Sequence, residues 1–150
     1  MSCFADSSAL VKLYADEAGR TEVLTAERLT MLVSDLVRVE VPAALWKKHR
    51  TGEITAEDAG VLTAQFRADL HGTRSSAPRW PTLAVTGRIL DHAALLVAAY
   101  GLRAYDAVQL ATAVTARAID PGLDLFVCFD KGLNKAAEAE GFRLATANDG

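Results

Sequence analysis

The sequence predicts an α/β fold, with a central parallel sheet of four or five strands flanked by helices on both faces and residues 1–150 forming a single domain. Three observations predict it. The chain opens with a short apolar run that stops at Asp6 and gives way to Ser7, Ser8 and a helical pattern of Ala9, Leu10, Leu13 and Tyr14. The same grammar returns late, where the run from Leu125 to Phe129 ends at Asp130 and a helical pattern spans 131–140. Between them, strand-like and helix-like segments alternate, as parallel sheets with helical crossovers require.

Each element has a local reason. Ser7 and Ser8 are good helix caps, because a side-chain hydroxyl satisfies an orphan N–H of the first turn. A loop over 17–20 and a short helix over 21–29 lead to a strand at 30–33, ended by Ser34, whose hydroxyl can cap the next helix. Residues 36–50 carry helical apolar spacing, with Gly52 placed to close the helix. Pro42 lies inside that segment and removes one backbone donor, which predicts a kink or a fresh helix start within a turn of Glu40.

Thr55, followed at the third position by Asp58, forms a variant capping box for a helix that Gly72 stops. Residues 73–81, with two prolines and two serines, predict an exposed loop. A weak strand at 82–85 precedes a helix capped by Thr86 and closed by Gly101. The alanine-rich stretch from Leu102 to Ala113 predicts a tightly packed helix. Asp120-Pro121-Gly122 turns the chain into the late strand, and 142–145 is a last edge strand.

Composition excludes several classes. Half of the 150 residues are hydrophobic, so a large core is expected; at this length roughly 70% of the unfolded surface can be buried. The longest clean apolar run, 93–100, is too short to span a bilayer, and the N-terminus lacks a secretory signal pattern. A protein without membrane association, in the cytoplasm, is expected. Cys3 and Cys128 fall in predicted strands as buried thiols, and two such residues without ligand spacing predict neither a disulfide nor a metal site. The net charge of −3 does not advertise nucleic-acid binding, although Lys47, Lys48 and Arg50, and again Arg74 and Arg79, form local basic clusters.

Two further acids stand where apolar residues are expected. Glu40 interrupts Val39 and Val41 on a core-directed helix, and Asp106 opens the alanine-rich one. Each of these carboxylates also has a structural reading: Asp6 and Asp130 as helix caps, Asp106 as an acid at a helix N-terminus, Glu40 in a salt bridge to Arg38 or Arg103. Brought to one pocket, they repel. At about 5 Å and an effective dielectric near 20, each pair of charges costs roughly 3 kcal/mol. Such a cluster takes up protons or binds cations. Oxygen ligands without His or Cys select Mg²⁺ or Mn²⁺, whose chemistry in acid-held sites is phosphoryl transfer or phosphodiester hydrolysis.

The segments Phe4-Ala5-Asp6-Ser7-Ser8-Ala9-Leu10-Val11-Lys12, Glu40 after Ser34, Leu102 to Ala111 around Asp106, and Phe129-Asp130-Lys131-Gly132-Leu133 closely resemble PIN-domain ribonucleases. In particular, the chain resembles the VapC toxins of type II toxin–antitoxin systems. The resemblance covers essentially the whole chain and implies a PIN-like domain. It also implies that Asp6, Glu40, Asp106 and Asp130 form a catalytic acidic pocket for one or two Mg²⁺ or Mn²⁺ ions. Asp6 and Asp106 would be first-choice ligands, with Glu40 and Asp130 holding metal waters or orienting the nucleophile. Ser8 falls where the family places a small polar residue supporting the first aspartate. Cys128 departs from the Thr or Ser of many relatives and is expected to serve packing. The implied activity is RNA hydrolysis that leaves a 5′-phosphate and a 3′-hydroxyl, by a homodimer that a cognate VapB-type antitoxin neutralises.

Other readings fit less well. A HAD-like phosphatase needs a second acid two residues after the first, where Ser8 stands, and a receiver-type signalling domain needs paired early acids and a late lysine. A catalytically silent PIN-fold binding or regulatory module remains as the non-enzymatic alternative. His49, His71 and His92 make no ligand pattern, Trp46 and Trp80 read as packing before base stacking, and Lys12 and Lys131 read equally as phosphate contacts or solvated positions.

Overall fold

The computed structural model describes residues 1–146. Its sheet is built outward from β1, Ser2–Ala5, every residue of which is buried. β2 (Thr30–Ser34) and β4 (Leu123–Val127) flank β1; β3 (Thr82–Leu83) lies beyond β2, and β5 (Arg143–Leu144) lies beyond β4. Every neighbouring pair is parallel. The chain therefore winds from β1 out to β3, then crosses back to lay β4 against the other side of β1. That reversal creates a switch point between β1 and β4, and open α/β sheets form their ligand crevice at the carboxyl ends of such strands. Asp6 immediately follows β1, and Asp130 stands just past β4.

Strand side chains alternate between faces, and the two faces build separate cores. Cys3, Ala5, Met31, Val33 and Val127 face α1 (Ser7–Val11), α2 (Arg20–Ala26), α3 (Val37–Arg50) and α4 (Ala56–His71). Phe4 and Phe126, stacked with ring centroids 5.8 Å apart, face α5 (Gly87–Tyr100), α6 (Ala104–Ile119) and α7 (Lys131–Ala139). The predicted helices on both faces are present, with the first half of the chain covering one face and the second half the other. Buried Ala107, Ala111 and Ala113 let α6 sit close to its neighbours, as their spacing predicted. Among the described residues no helix is long and apolar enough to cross a membrane.

Several boundaries differ from expectation. The late strand runs Leu123–Val127, two residues earlier than predicted, because its ladder to β1 ends where Ala5 pairs with Val127. Cys128 and Phe129 therefore leave the sheet, and the Phe129 N–H meets the Ser8 hydroxyl. Nor does Pro42 start a new helix; α3 runs through it as one element. The carbonyl it deprives of a partner belongs to Arg38, an exposed residue whose backbone water can reach. The segment 73–81 is a loop, but Trp80 in it is only 2% exposed. Its indole N–H donates to Glu27 Oε2 at 3.0 Å, beside Arg79, which pairs with Glu27 and Asp69. A large ring gains too much by burial to stay in solvent, and the predicted basic cluster at Arg79 is neutralised.

Candidate active site

Asp6 reaches the crevice because β1 ends there. It caps α1 with Oδ1, which accepts from the Ala9 N–H at 3.1 Å and from the Ser8 hydroxyl at 2.7 Å. Its other oxygen, Oδ2, accepts from the Cys128 thiol at 3.3 Å. The side chain is nearly fully buried, and burial pushes its carboxyl up to about 6 despite these donors, with a smaller push from Glu40. Asp130 repeats the arrangement: Oδ1 caps α7 by accepting from the Leu133 N–H at 2.8 Å, while Oδ2 meets Arg103 Nη2 at 3.3 Å. Capping and lining the crevice are thus compatible roles, one oxygen for each.

Glu40 projects from the first turn of α3. Its Oε1 accepts from the Ser7 hydroxyl at 2.8 Å and from Gln109 Nε2 at 2.8 Å. The salt bridge to Arg38 or Arg103 does not form; Arg38 pairs with Asp35, and Arg103 pairs with Asp106 at 3.4 Å and Asp130 at 3.3 Å. Asp106, in the first turn of α6, is pushed above the usual carboxylate range by burial and by neighbouring Asp130, against the pull of Arg103.

Asp6, Glu40, Asp106 and Asp130 all line one open cavity of about 590 Å³, together with Ser7, Ser8, Lys47 and Arg103. Electrostatically they form two pairs, Asp6 with Glu40 and Asp106 with Asp130. Among the described residues, no three His, Cys, Asp or Glu side chains draw together into a closed metal cage. The donor set still suits a hard divalent cation: carboxylate oxygens, no imidazole, and two acids whose burial and proximity favour taking up positive charge. Burial holds the Cys128 thiol far above the ordinary range, and it stands here as a hydrogen-bond donor to Asp6.

Ser8 ties the two strand ends together, donating to Asp6 and accepting from the Phe129 N–H at 3.0 Å. Cys128 does more than pack, contrary to expectation. Besides donating to Asp6, its sulfur accepts from the Asp130 N–H at 3.2 Å, so one atom touches two of the acids' residues. The reason is the early end of β4, which turns this side chain toward Asp6. Sequence reasoning also overlooked Ser7 and Gln109. A signal for Gln109 existed: it is a lone amide in an alanine-rich buried helix, three residues after Asp106 and so on the same side of α6. The three histidines lie outside the cavity lining, as does Lys12, which pairs with Glu17 at 3.2 Å.

The PIN domain family model matches residues 3–139. Two relatives from Mycobacterium tuberculosis, Ribonuclease VapC45 of strain CDC 1551 / Oshkosh and Ribonuclease VapC49 of strain H37Rv, are each 32% identical over 146 residues, covering 96% of this chain and 94% of theirs. The fold is similar to PAE2754 from Pyrobaculum aerophilum, with a TM-score of 0.63 at 21% identity, over 97% of this chain and 90% of that one. It is also similar to a chain of a toxin–antitoxin complex from Klebsiella pneumoniae, with a TM-score of 0.58 at 20% identity, over 86% and 87% of the two chains.

Proposed function

The chain belongs to the PIN domain family, and from that premise we propose that it is a Mg²⁺- or Mn²⁺-dependent endoribonuclease, the toxin of a toxin–antitoxin pair. The observation that carries this reading is the gathering of Asp6, Glu40, Asp106 and Asp130 around one cavity at the switch point of the sheet. Relatives named ribonucleases, aligned over nearly the whole chain, support RNA as the substrate. A fold shared with a chain of a toxin–antitoxin complex supports neutralisation by a cognate VapB-type antitoxin. A single domain over residues 1–150 and a cytoplasmic location complete the reading.

Asp6 and Asp106 would hold the cation, and Glu40 and Asp130 would hold its waters or orient the attacking one. When bound, the cation supplies activation of water and stabilisation of charge on the leaving oxygen. The protein's own residues do the rest. Ser8 and Cys128 fix the Asp6 carboxylate from both sides. Arg103 and Lys47, at the same cavity, offer positive charge to a phosphate backbone. A homodimer is part of the proposal, and the exposed Leu90, Leu95, Val97 and Tyr100 of α5 supply apolar surface for it.

The test is cleavage of total cellular RNA by antitoxin-free protein with Mg²⁺, with Mn²⁺ and with EDTA, beside Asp6→Asn. Discrete metal-dependent fragments that vanish in the variant are expected. Absence of cleavage by folded wild-type protein under either metal would return the chain to the reading of a catalytically silent binding module.

A further inference from the structure

Gln109 is 1% exposed, yet it keeps a full amide inside the α6 core. Its Nε2 donates to Glu40 Oε1 at 2.8 Å and to Ser7 Oγ at 3.0 Å, while the Ser7 hydroxyl donates to that same Oε1 at 2.8 Å. A carboxylate only accepts, and the one Ser7 proton is already committed to Glu40. Nitrogen must therefore face both groups, which turns Gln109 Oε1 the other way. There it is buried, and among the described residues no protein group hydrogen-bonds to it. An unpaired buried carbonyl carries its full desolvation penalty. Leucine at this position would carry none. The amide thus carries a cost that an apolar side chain would not, set against its bonds to Glu40 and Ser7, and such conflicts concentrate at functional sites.

We infer that Gln109, with Ser7, is a positioning residue that commits one oxygen of Glu40 and thereby presents the other to the acidic cavity. Both donors converge on Oε1, and among the described residues no protein hydrogen bond reaches Oε2. Glu40 lines the cavity, so Oε2 is the oxygen left for a cation or its water. Three elements, α1, α3 and α6, meet in this cluster, so one glutamate rotamer is held by groups from two other helices. Untethered, the side chain would have to be ordered by the incoming cation, at the expense of affinity. The inference rests on the cation-binding reading of the pocket proposed above.

The experiment is Mn²⁺ titration by calorimetry of the full chain, with melting temperature measured alongside. It compares wild type, Gln109→Leu, Ser7→Ala, Glu40→Gln and the Gln109→Leu/Glu40→Gln double variant, with Gln109→Met as a second near-isosteric probe should leucine fail to fold. Gln109→Leu is expected to weaken Mn²⁺ about tenfold, the change expected for a residue supporting a metal ligand. Its melting temperature should be unchanged or higher, because the orphan carbonyl is gone. In the Glu40→Gln background the same substitution should weaken Mn²⁺ no further. A merely structural amide would shift melting without this dependence on Glu40. Wild-type affinity in Gln109→Leu, equal losses in both backgrounds, or no Mn²⁺ binding by wild type would each overturn the inference. RNA cleavage measured in parallel separates the two readings: Mn²⁺ binding with the expected coupling but without cleavage retires the nuclease and keeps the positioning role. Cleavage that Gln109→Leu leaves intact does the reverse.

Discussion

The thiol of Cys128 stands 3.3 Å from Oδ2 of Asp6, across 122 residues of sequence, and approaches the carboxylate from the side opposite Ser8. One oxygen is served by a hydroxyl and the other by a sulfur that also accepts the Asp130 N–H. Cys128→Ser keeps a donor there and should retain RNA cleavage within a few-fold. Cys128→Ala leaves a buried carboxylate oxygen and a backbone N–H unserved, a loss of about 1–3 kcal/mol. It should lower cleavage about tenfold or more along with melting temperature. Parallel cleavage and melting curves of the two variants check this, and an alanine variant matching wild type would make the contact incidental.

Asp6 gives the metal-free protein a pH dependence of definite sign. Burial raises its carboxyl to about 6 in the folded chain, against about 3.9 unfolded. The folded state thus holds this proton more tightly, so stability falls as pH rises through that interval and is fully present only below it. For a buried group the loss is of order 2–3 kcal/mol. Asp106, also raised, acts in the same direction. In EDTA, the melting temperature of wild type relative to Asp6→Asn should drop between about pH 4 and pH 6. Mn²⁺ affinity should rise over the same range, since the cation needs the ionised form. A wild-type-minus-variant difference that is flat with pH would show that Asp6 is not held protonated.

Arg103 bridges Asp106 and Asp130 at 3.4 and 3.3 Å, yet its side chain is 81% exposed. An exposed pair is worth about 0.5–1 kcal/mol, so Arg103→Ala should tighten Mn²⁺ by about two- to fivefold at low salt. RNA binding should weaken at the same time, because the cavity loses a positive group that faces phosphate. Calorimetry with Mn²⁺ and a binding assay with RNA in EDTA should therefore move in opposite directions. If both weaken, Arg103 is holding the acids in place rather than competing for them.

Gly19 has a φ of +107°, and a Cβ built there would sit 2.6 Å from the Phe129 ring. Phe129 gives its N–H to Ser8 and precedes Asp130. Gly19→Ala combines left-handed backbone strain with displacement of that ring. A loss of about 1–3 kcal/mol in stability is expected, together with reduced cleavage, although Gly19 does not line the cavity. Urea melts and cleavage rates would measure both, and unchanged cleavage in a destabilised variant would uncouple Phe129 from the acids.

The features legible in the chain had local causes. Short apolar strand runs, hydroxyl caps at Thr55 and Thr86, and closing glycines at 72 and 101 act within a few residues, and these caps and glycines stand where the pattern placed them. Two features depended on surroundings that local rules omit: α3 continues through Pro42, where the carbonyl left without a partner belongs to exposed Arg38, and the loop over 73–81 buries Trp80, which packs as expected, in a slot beside Glu27. The acids divided along the same line. Spacing placed Asp6 and Asp130 at strand ends, whereas naming all four as one pocket came from resemblance to a family.

Periodicity and turn chemistry along the chain were enough to specify a parallel α/β sheet with helices on both faces, because those forces are short-ranged and repeat in register with the backbone. They could not say which oxygen of each acid is occupied, that Gln109 and Ser7 converge on Glu40, that Cys128 touches Asp6, or that Arg103 lies between Asp106 and Asp130. Those contacts join residues 27 to 122 positions apart, apart from the short Arg103–Asp106 step. They exist only once the crossover from β3 lays β4 against β1 and the strand register turns Cys128 toward the crevice. Side-chain donors act over about 3 Å, so their partners are chosen by packing, which tertiary structure alone supplies.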